Sequence, residues 1–177
     1  GYGTYIIKNQ KSFSHFMKTH WSPNRFIAEA FIPFDKECAF IIARSGDGSV
    51  THLPLVETRQ VDSRCDWVMG PLKNKKALGL IEKMKHFLKK LDYVGVMGVE
   101  CFKTSSQLLI NEIAPRVHNT GHYSQMIESM SQFDLHNLCL LGLPLPKEPK
   151  IKGGFAMANL IGRGRPYSFK PTQGLYW

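Results

Sequence analysis

Two glutamates, and the residues that follow the second of them, carry the most chemistry in this sequence. Glu100 stands in Gly98-Val99-Glu100-Cys101-Phe102 and Glu112 in Leu109-Ile110-Asn111-Glu112-Ile113, two apolar stretches around a polar turn at 104–107. A reversal centred near Ser106 sets residues 100 and 112 opposite each other on one side of a hairpin. Like charges so placed repel, and both sit in otherwise apolar strands. A divalent cation turns that liability into a site, because carboxylates with phosphate oxygens completing the shell suit Mg2+. The other reading is that one glutamate faces solvent or pairs with Arg116. Just beyond, Glu112-Ile113-Ala114-Pro115-Arg116-Val117-His118-Asn119-Thr120-Gly121-His122 brings a cation, an imidazole and an amide beside the carboxylates. Arg116 could grip an anion such as bicarbonate or phosphate with two hydrogen bonds. His118 and Asn119 could hydrogen-bond a polar substrate. A lone histidine is usually structural, but this grouping has the composition of a site.

The elements that must position these residues follow from pattern. Residues 93–103 and 108–113 read as the two strands of that hairpin. Residues 37–44 and 49–55 read as another, around the turn Ser45-Gly46-Asp47-Gly48. Further strands are expected at 5–8, 25–31 and 155–161, and helices at 12–19, 125–130 and 131–141. Ser131 and Asp134 form a capping-box pattern at the start of the last helix, which Gly142 and Pro144 end. Leu78, Ile81, Met84, Leu88 and Leu91 make one stripe of an amphipathic helix, with Leu78, Ile81, Met84 and Leu88 expected in the core. Hairpins and helices mixed in this order indicate an α+β fold.

Hydrophobic residues are 43% and charged residues 21% of the 177, ordinary values for a globular domain. No apolar run is long enough to cross a bilayer. The formal net charge of +9 raises the alternative of a basic nucleic-acid-binding module. Much of that charge lies on Lys73, Lys75, Lys76, Lys83, Lys85, Lys89 and Lys90, on or beside the amphipathic helix. No base-stacking aromatics interleave with them, so a solvated helix face is the better reading. Cys38, Cys65, Cys101 and Cys139 are widely spaced, without a C-x-x-C pair, as expected of reduced thiols in a cytoplasmic protein.

These residues resemble one family. Val99-Glu100-Cys101-Phe102, the strand at 109–113 and the run at 114–122 are similar to the ATP-grasp ligases that make N5-carboxyaminoimidazole ribonucleotide. Ser131-Gln132-Phe133-Asp134-Leu135-His136, Gly142-Leu143-Pro144-Leu145 and Asn159-Leu160-Ile161-Gly162 continue the resemblance. Upstream it includes Glu29-Ala30-Phe31-Ile32-Pro33-Phe34-Asp35-Lys36-Glu37, Arg44 with Asp47-Gly48, and Leu53-Pro54. The stretch at 111–122 is its most specific part. The resemblance implies an ATP-grasp fold: residues 1–25 as the remainder of a lid subdomain, 26–145 as the C-terminal lobe, and 146–177 as the start of a C-terminal extension. It also implies that this is the central and C-terminal part of a longer enzyme, a homodimer when whole, and inactive as this piece alone.

The implied ligands are ATP, Mg2+, bicarbonate and 5-aminoimidazole ribonucleotide, with no nucleic acid and no membrane. Gly1, Tyr2, Gly3 and Thr4 would belong to a glycine-rich loop over the ATP phosphates. Glu29, Ala30, Phe31 and Ile32 would line the adenine, and Glu37 would accept from the ribose hydroxyls. Asn111 and Glu112 would face the nucleotide, with Glu100 and Glu112 holding Mg2+. Arg116, His118 and Asn119 would meet bicarbonate and the aminoimidazole. The implied reaction passes through carboxyphosphate, formed when bicarbonate attacks the γ-phosphate, in a closed site that excludes water. The sequence departs from the family at Glu57-Thr58-Arg59-Gln60, where Glu-Asn-x-His is usual. Gln60 can still donate a hydrogen bond to nucleotide but cannot become cationic. The alternative enzyme is a formate-dependent glycinamide ribonucleotide transformylase; His122 matches the carboxylating family better.

Overall fold

The structure, a computed structural model, describes residues 3–23, 25–62, 64–127, 130–147, 151 and 153–160. Its centre is β1, Lys36–Arg44, in which every residue from Cys38 to Ala43 is buried. Such an unbroken apolar run belongs to a strand covered on both faces, where alternation has no polar side to serve. β2 (Val50–His52) folds back on the far end of β1, and β3 (Val56–Val61) pairs with its near end. β4 (Arg64–Gly70) follows β3 in a hairpin. β5 (Gly95–Lys103) lies antiparallel to β1 along its whole length, from Lys36↔Lys103 to Arg44↔Gly95. β6 (Leu108–Ala114) and β7 (Phe155–Ala158) complete one antiparallel sheet of order β6-β5-β1-β3-β4-β7, with β2 beside β1.

Side chains alternate across this sheet, so each strand feeds two cores. Phe40, Ile42, Met97 and Val99 pack beneath α2 (Ala77–Lys90). Ala39, Ile41, Ala43 and Val96 meet Tyr123 from a 3-10 helix (Asn119–Met126) and Leu135 and Cys139 from α3 (Gln132–Leu140). The expected capping box at Ser131 and Asp134 is formed: the Ser131 side chain accepts from the Asp134 N–H, and Asp134 accepts from the Ser131 N–H. Such a cap contributes about 1 kcal/mol and fixes where α3 begins.

Several expectations need correction. The buried stripe of α2 is Ala77, Ile81, Met84 and Leu88, whereas Leu78 is 69% exposed and Leu91 56% exposed. Starting the helix at Ala77 makes 77, 81, 84 and 88 the i, i+4, i+7, i+11 set, and Leu78 is rotated out of it. Residues 56–61 and 64–70 were not anticipated as strands, since charged residues interrupt them. A helix was expected at 125–130, but a 3-10 helix instead begins at Asn119 and ends at Met126, while residues 128 and 129 lie outside the described residues.

No strand forms at 5–8 or 25–31, because neither segment pairs with a neighbouring strand among the described residues. These segments flank α1 (Gln10–Thr19), which is capped by Asn9 and Ser12 and buries no residue. An aromatic cluster gathers there instead, with Phe16 facing Phe26 at 5.0 Å and Tyr5 at 5.1 Å between ring centroids. The chain joins the sheet where Phe34 stacks on Phe102 at 4.4 Å and the Asp35 N–H donates to the Lys103 carbonyl at 2.8 Å.

Candidate functional site

Glu37 on β1, Glu100 on β5 and Glu112 on β6 share the face of the sheet that carries Ala39 and Ile41. Pairing across antiparallel strands keeps partners on one side, and Ala39 pairs with Glu100, which pairs with Glu112. A β-bulge produces the last of these pairs. From Lys103↔Leu108 to Cys101↔Ile110 the register would set Glu100 against Asn111 and turn Glu112 to the other face. Asn111 is the extra residue, and past it Glu112 lies opposite Glu100. A second slip lies between Arg59 and Gln60, with Asp66 extra on β4.

Gln60 sits between the first two carboxylates. Its backbone N–H donates to Glu37 Oε2 at 3.1 Å, and its Nε2 donates to Glu100 Oε1 at 3.2 Å. The second bond suits the ionised form of Glu100, which can only accept. Burial raises the Glu100 carboxyl to about 7, with the charges of Glu112 and Glu37 adding to the rise. Burial also raises Glu37, partly countered by the Gln60 hydrogen bond. This corner is short of positive charge.

His118 stands beside it, with Nε2 3.8 Å from Glu100 Oε1 and Nδ1 2.9 Å from the Thr120 hydroxyl. Burial lowers its pKa, and Arg116 lowers it further, against a smaller opposite pull from Glu112. With the imidazole neutral and 3.8 Å too long for a hydrogen bond, the His118–Glu100 contact is no ion pair at neutral pH. Gly98 makes room for the ring: a Cβ there would lie 2.6 Å from His118 Cβ. Gln132, wholly buried, holds the His118 backbone, and Gly121 makes room for its amide, since a Cβ there would lie 2.6 Å from Gln132 Oε1.

The other expected residues are placed as follows. Arg116, Asn111 and Asn119 are exposed, with Arg116 Nη1 donating to the Val117 carbonyl at 2.9 Å. Glu29, Ala30, Phe31 and Ile32 form a non-helical segment leading to Phe34, with Phe31 73% exposed. Gly3 and Thr4 are exposed, while Gly1 and Tyr2 lie outside the described residues. Among the described residues no three His, Cys, Asp or Glu side chains gather closely enough to enclose a metal. A cation here would depend on two carboxylates and on oxygens from outside the chain. Sequence reasoning missed Gly98, Gly121 and Gln132. A glycine inside a strand pattern marks close backbone approach and could have disclosed Gly98; a buried glutamine carries no such mark.

A sheet with acidic side chains gathered on one face, beside a non-helical segment from a small helical unit, is an arrangement that fits a lobe of the ATP-grasp class. The chain belongs to that family: the ATP-grasp domain model matches residues 1–133. Within it the similarity is to N5-carboxyaminoimidazole ribonucleotide synthases. The Escherichia coli synthase is 40% identical over 155 residues, covering 85% of this chain and 43% of the relative. The Thermotoga maritima synthetase structure superposes with a TM-score of 0.70 at 32% identity, covering 89% of this chain and 41% of that one. The Aspergillus clavatus synthase, in complex with ADP and 5-aminoimidazole ribonucleotide, superposes at 0.64 with 34% identity, covering 76% and 37%. The chain spans about two-fifths of the length of the synthases it matches. Among the described residues no helix is long and apolar enough to cross a membrane.

Proposed function

We propose that this chain supplies the nucleotide and substrate lobe of an enzyme that carboxylates 5-aminoimidazole ribonucleotide with ATP and bicarbonate, a step of purine synthesis in the cytoplasm. The observation that carries the reading is the Glu100–Glu112 pair, set opposite each other by a bulge, beside Glu37 and a neutral His118. Mg2+ fits this donor set: a cluster that keeps the Glu100 carboxyl near 7 lacks the charge that a cation with phosphate oxygens brings. Glu100 and Glu112 would hold it, and its chemistry would be to neutralise charge building on the transferred phosphoryl group.

The chain's own residues then divide the work. Glu37 accepts from the ribose hydroxyls, while Gln60 steadies Glu37 and Glu100 together. Residues 29–32 would line the adenine, and Gly1, Tyr2, Gly3 and Thr4 would belong to the loop over the phosphates. Asn111 faces the nucleotide from its bulge. Exposed Arg116 offers two parallel N–H donors to bicarbonate as it attacks the γ-phosphate. His118 and Asn119 hydrogen-bond the aminoimidazole, so that carboxyphosphate, or CO2 released from it, meets the amine rather than water. Residues 1–25 would act as lid, 26–145 as lobe and 146–177 as an extension, in a homodimer.

The test is ADP release by the natural polypeptide that carries this sequence, with MgATP and bicarbonate, with and without 5-aminoimidazole ribonucleotide. Turnover that needs the ribonucleotide and yields its N5-carboxylated product is expected. Turnover with formate and glycinamide ribonucleotide instead would favour the transformylase. The isolated 177-residue chain is expected to turn over neither set, because one lobe leaves the reactants without orienting walls.

A further inference from the structure

Gln132 is the second residue of the Ser131 capping box and is closed to solvent. Burying an amide costs several kcal/mol unless every polar atom finds a partner, and here each does. Oε1 accepts from the His118 backbone N–H at 2.8 Å. Nε2 lies 2.8 Å from the His118 carbonyl and 3.0 Å from His122 Nδ1. The backbone N–H of Gln132 donates to Ser124 Oγ at 2.9 Å, which in turn donates to the Gly121 carbonyl at 2.6 Å.

This network has only one consistent proton assignment. A backbone N–H can only donate, so the atom it meets on Gln132 is the oxygen and the other is the NH2. The NH2 can only donate, and it has two protons. One goes to the His118 carbonyl, which accepts; the other therefore enters the Nδ1 lone pair of His122. An imidazole that accepts at Nδ1 carries its proton at Nε2. The His122 ring plane is held as well, by stacking on Phe133 at 5.6 Å between centroids and 8° between planes.

We propose that Gln132 is a positioning residue that clamps the His118 peptide and holds His122 as the neutral Nε2–H tautomer, a hydrogen-bond donor for an oxygen of the anionic substrate. The role of that donor rests on the function proposed above; the tautomer does not. The two bonds to the His118 backbone leave one buried N–H of the amide, and the third bond spends it on the side chain of His122, in the run that follows the Glu100–Glu112 pair. Protonating His122 at Nδ1 would set two donors against each other, so the network resists the imidazolium as well as the other tautomer.

The test uses histidine-labelled natural polypeptide and long-range proton–nitrogen correlation spectra at neutral pH, with His122 assigned through its substitution. The expected pattern has a pyridine-type Nδ1 and a pyrrole-type Nε2. Gln132→Glu, which offers Nδ1 an acceptor, should move the proton to Nδ1. Gln132→Met, close in shape but without a donor, should give mixed tautomers and lower kcat for the carboxylation at least tenfold, while KM for ATP stays within about threefold. A pyrrole-type Nδ1 in the wild type would overturn the inference even if neither variant folds. So would a Gln132→Met enzyme with unchanged kcat. The expected wild-type spectrum without ribonucleotide-dependent turnover would leave the tautomer standing and remove the functional reading instead.

Discussion

Replacing Glu100 with Gln should make the protein more stable at neutral pH while, on the function proposed above, weakening its hold on a metal–nucleotide complex. In the folded protein the Glu100 carboxyl titrates near 7, against an ordinary 4.5, chiefly through burial. Folded protein thus binds the proton more tightly than unfolded chain, and stability contributed below pH 4.5 is drained as pH rises through about 7. A rise of about 2.5 units at about 1.4 kcal/mol each gives about 3.5 kcal/mol, which we reduce to about 2–3 for partial solvent access. Gln has the same shape and no charge, and Glu37 titrates in both proteins, so the difference isolates Glu100. Urea denaturation without metal should give matching midpoints near pH 4. The curves should separate progressively to pH 7, with Glu100→Gln ahead by about 1 M urea for an m-value of about 2 kcal/mol/M. If Glu100 holds the metal as proposed, adding MgATP should narrow or reverse the gap in the natural polypeptide, because the wild type would gain more binding energy than the variant. Parallel curves from pH 4 to 8 would refute the reasoning, and so would a wild type that gains on the variant as pH rises.

Leu88→Ala should cost about 2–5 kcal/mol by urea denaturation, while Leu78→Ala should stay within about 0.5 kcal/mol; the reverse order would mean that α2 presents its other face to the sheet. Gly98→Ala places a Cβ where His118 sits and should cost about 1–3 kcal/mol, with the largest imidazole shift in a histidine spectrum at His118. Gln60→Lys puts a cation against Glu100, so the Glu100 titration followed by carboxyl carbon shifts should move down; an unmoved midpoint would show that residue 60 does not touch it in solution.

The legible and illegible parts of this fold divide along physical lines. The apolar run of β1 and the hairpin of β5 and β6 could be read because burial writes itself into residue type. β3 and β4 could not, because Glu57, Arg59, Arg64 and Asp66 interrupt their pattern, and pairing with β1 and β7 supplies what propensity lacks. The opposition of Glu100 and Glu112 was reached by assuming a turn centred on Ser106. The ladder from Lys103↔Leu108 is centred half a residue earlier, and only the bulge at Asn111 restores the pair. A bulge leaves no mark in composition, and a one-residue slip moves a side chain to the opposite face. Gln132 was hidden for a related reason: nothing in a single sequence separates a surface glutamine from one whose amide is wholly spent inside.

The formal charge of +9 and the acidic cluster do not cancel each other, because the sheet holds them apart. α2, with Lys83, Lys85, Lys89 and Lys90, covers the face that carries Phe40, Ile42 and Val99. Glu37, Glu100 and Glu112 belong to the opposite face by strand alternation. Were these lysines on the same side, they would neutralise the carboxylates, and Glu100 would titrate low instead of near 7. Near the cluster the neighbours are instead a neutral amide, Gln60, and an imidazole kept neutral by burial. Arg116, exposed one turn of chain beyond, is the cation that this end of β6 supplies. Negative charge on this face is left uncompensated, and on the function proposed above a cation arriving with an anionic nucleotide would relieve it. On the function proposed above, selectivity for the paired ligand over free nucleotide would follow from electrostatics: a bare polyphosphate would meet the acidic face unaided, whereas the metal complex would meet two ligands and a ribose acceptor.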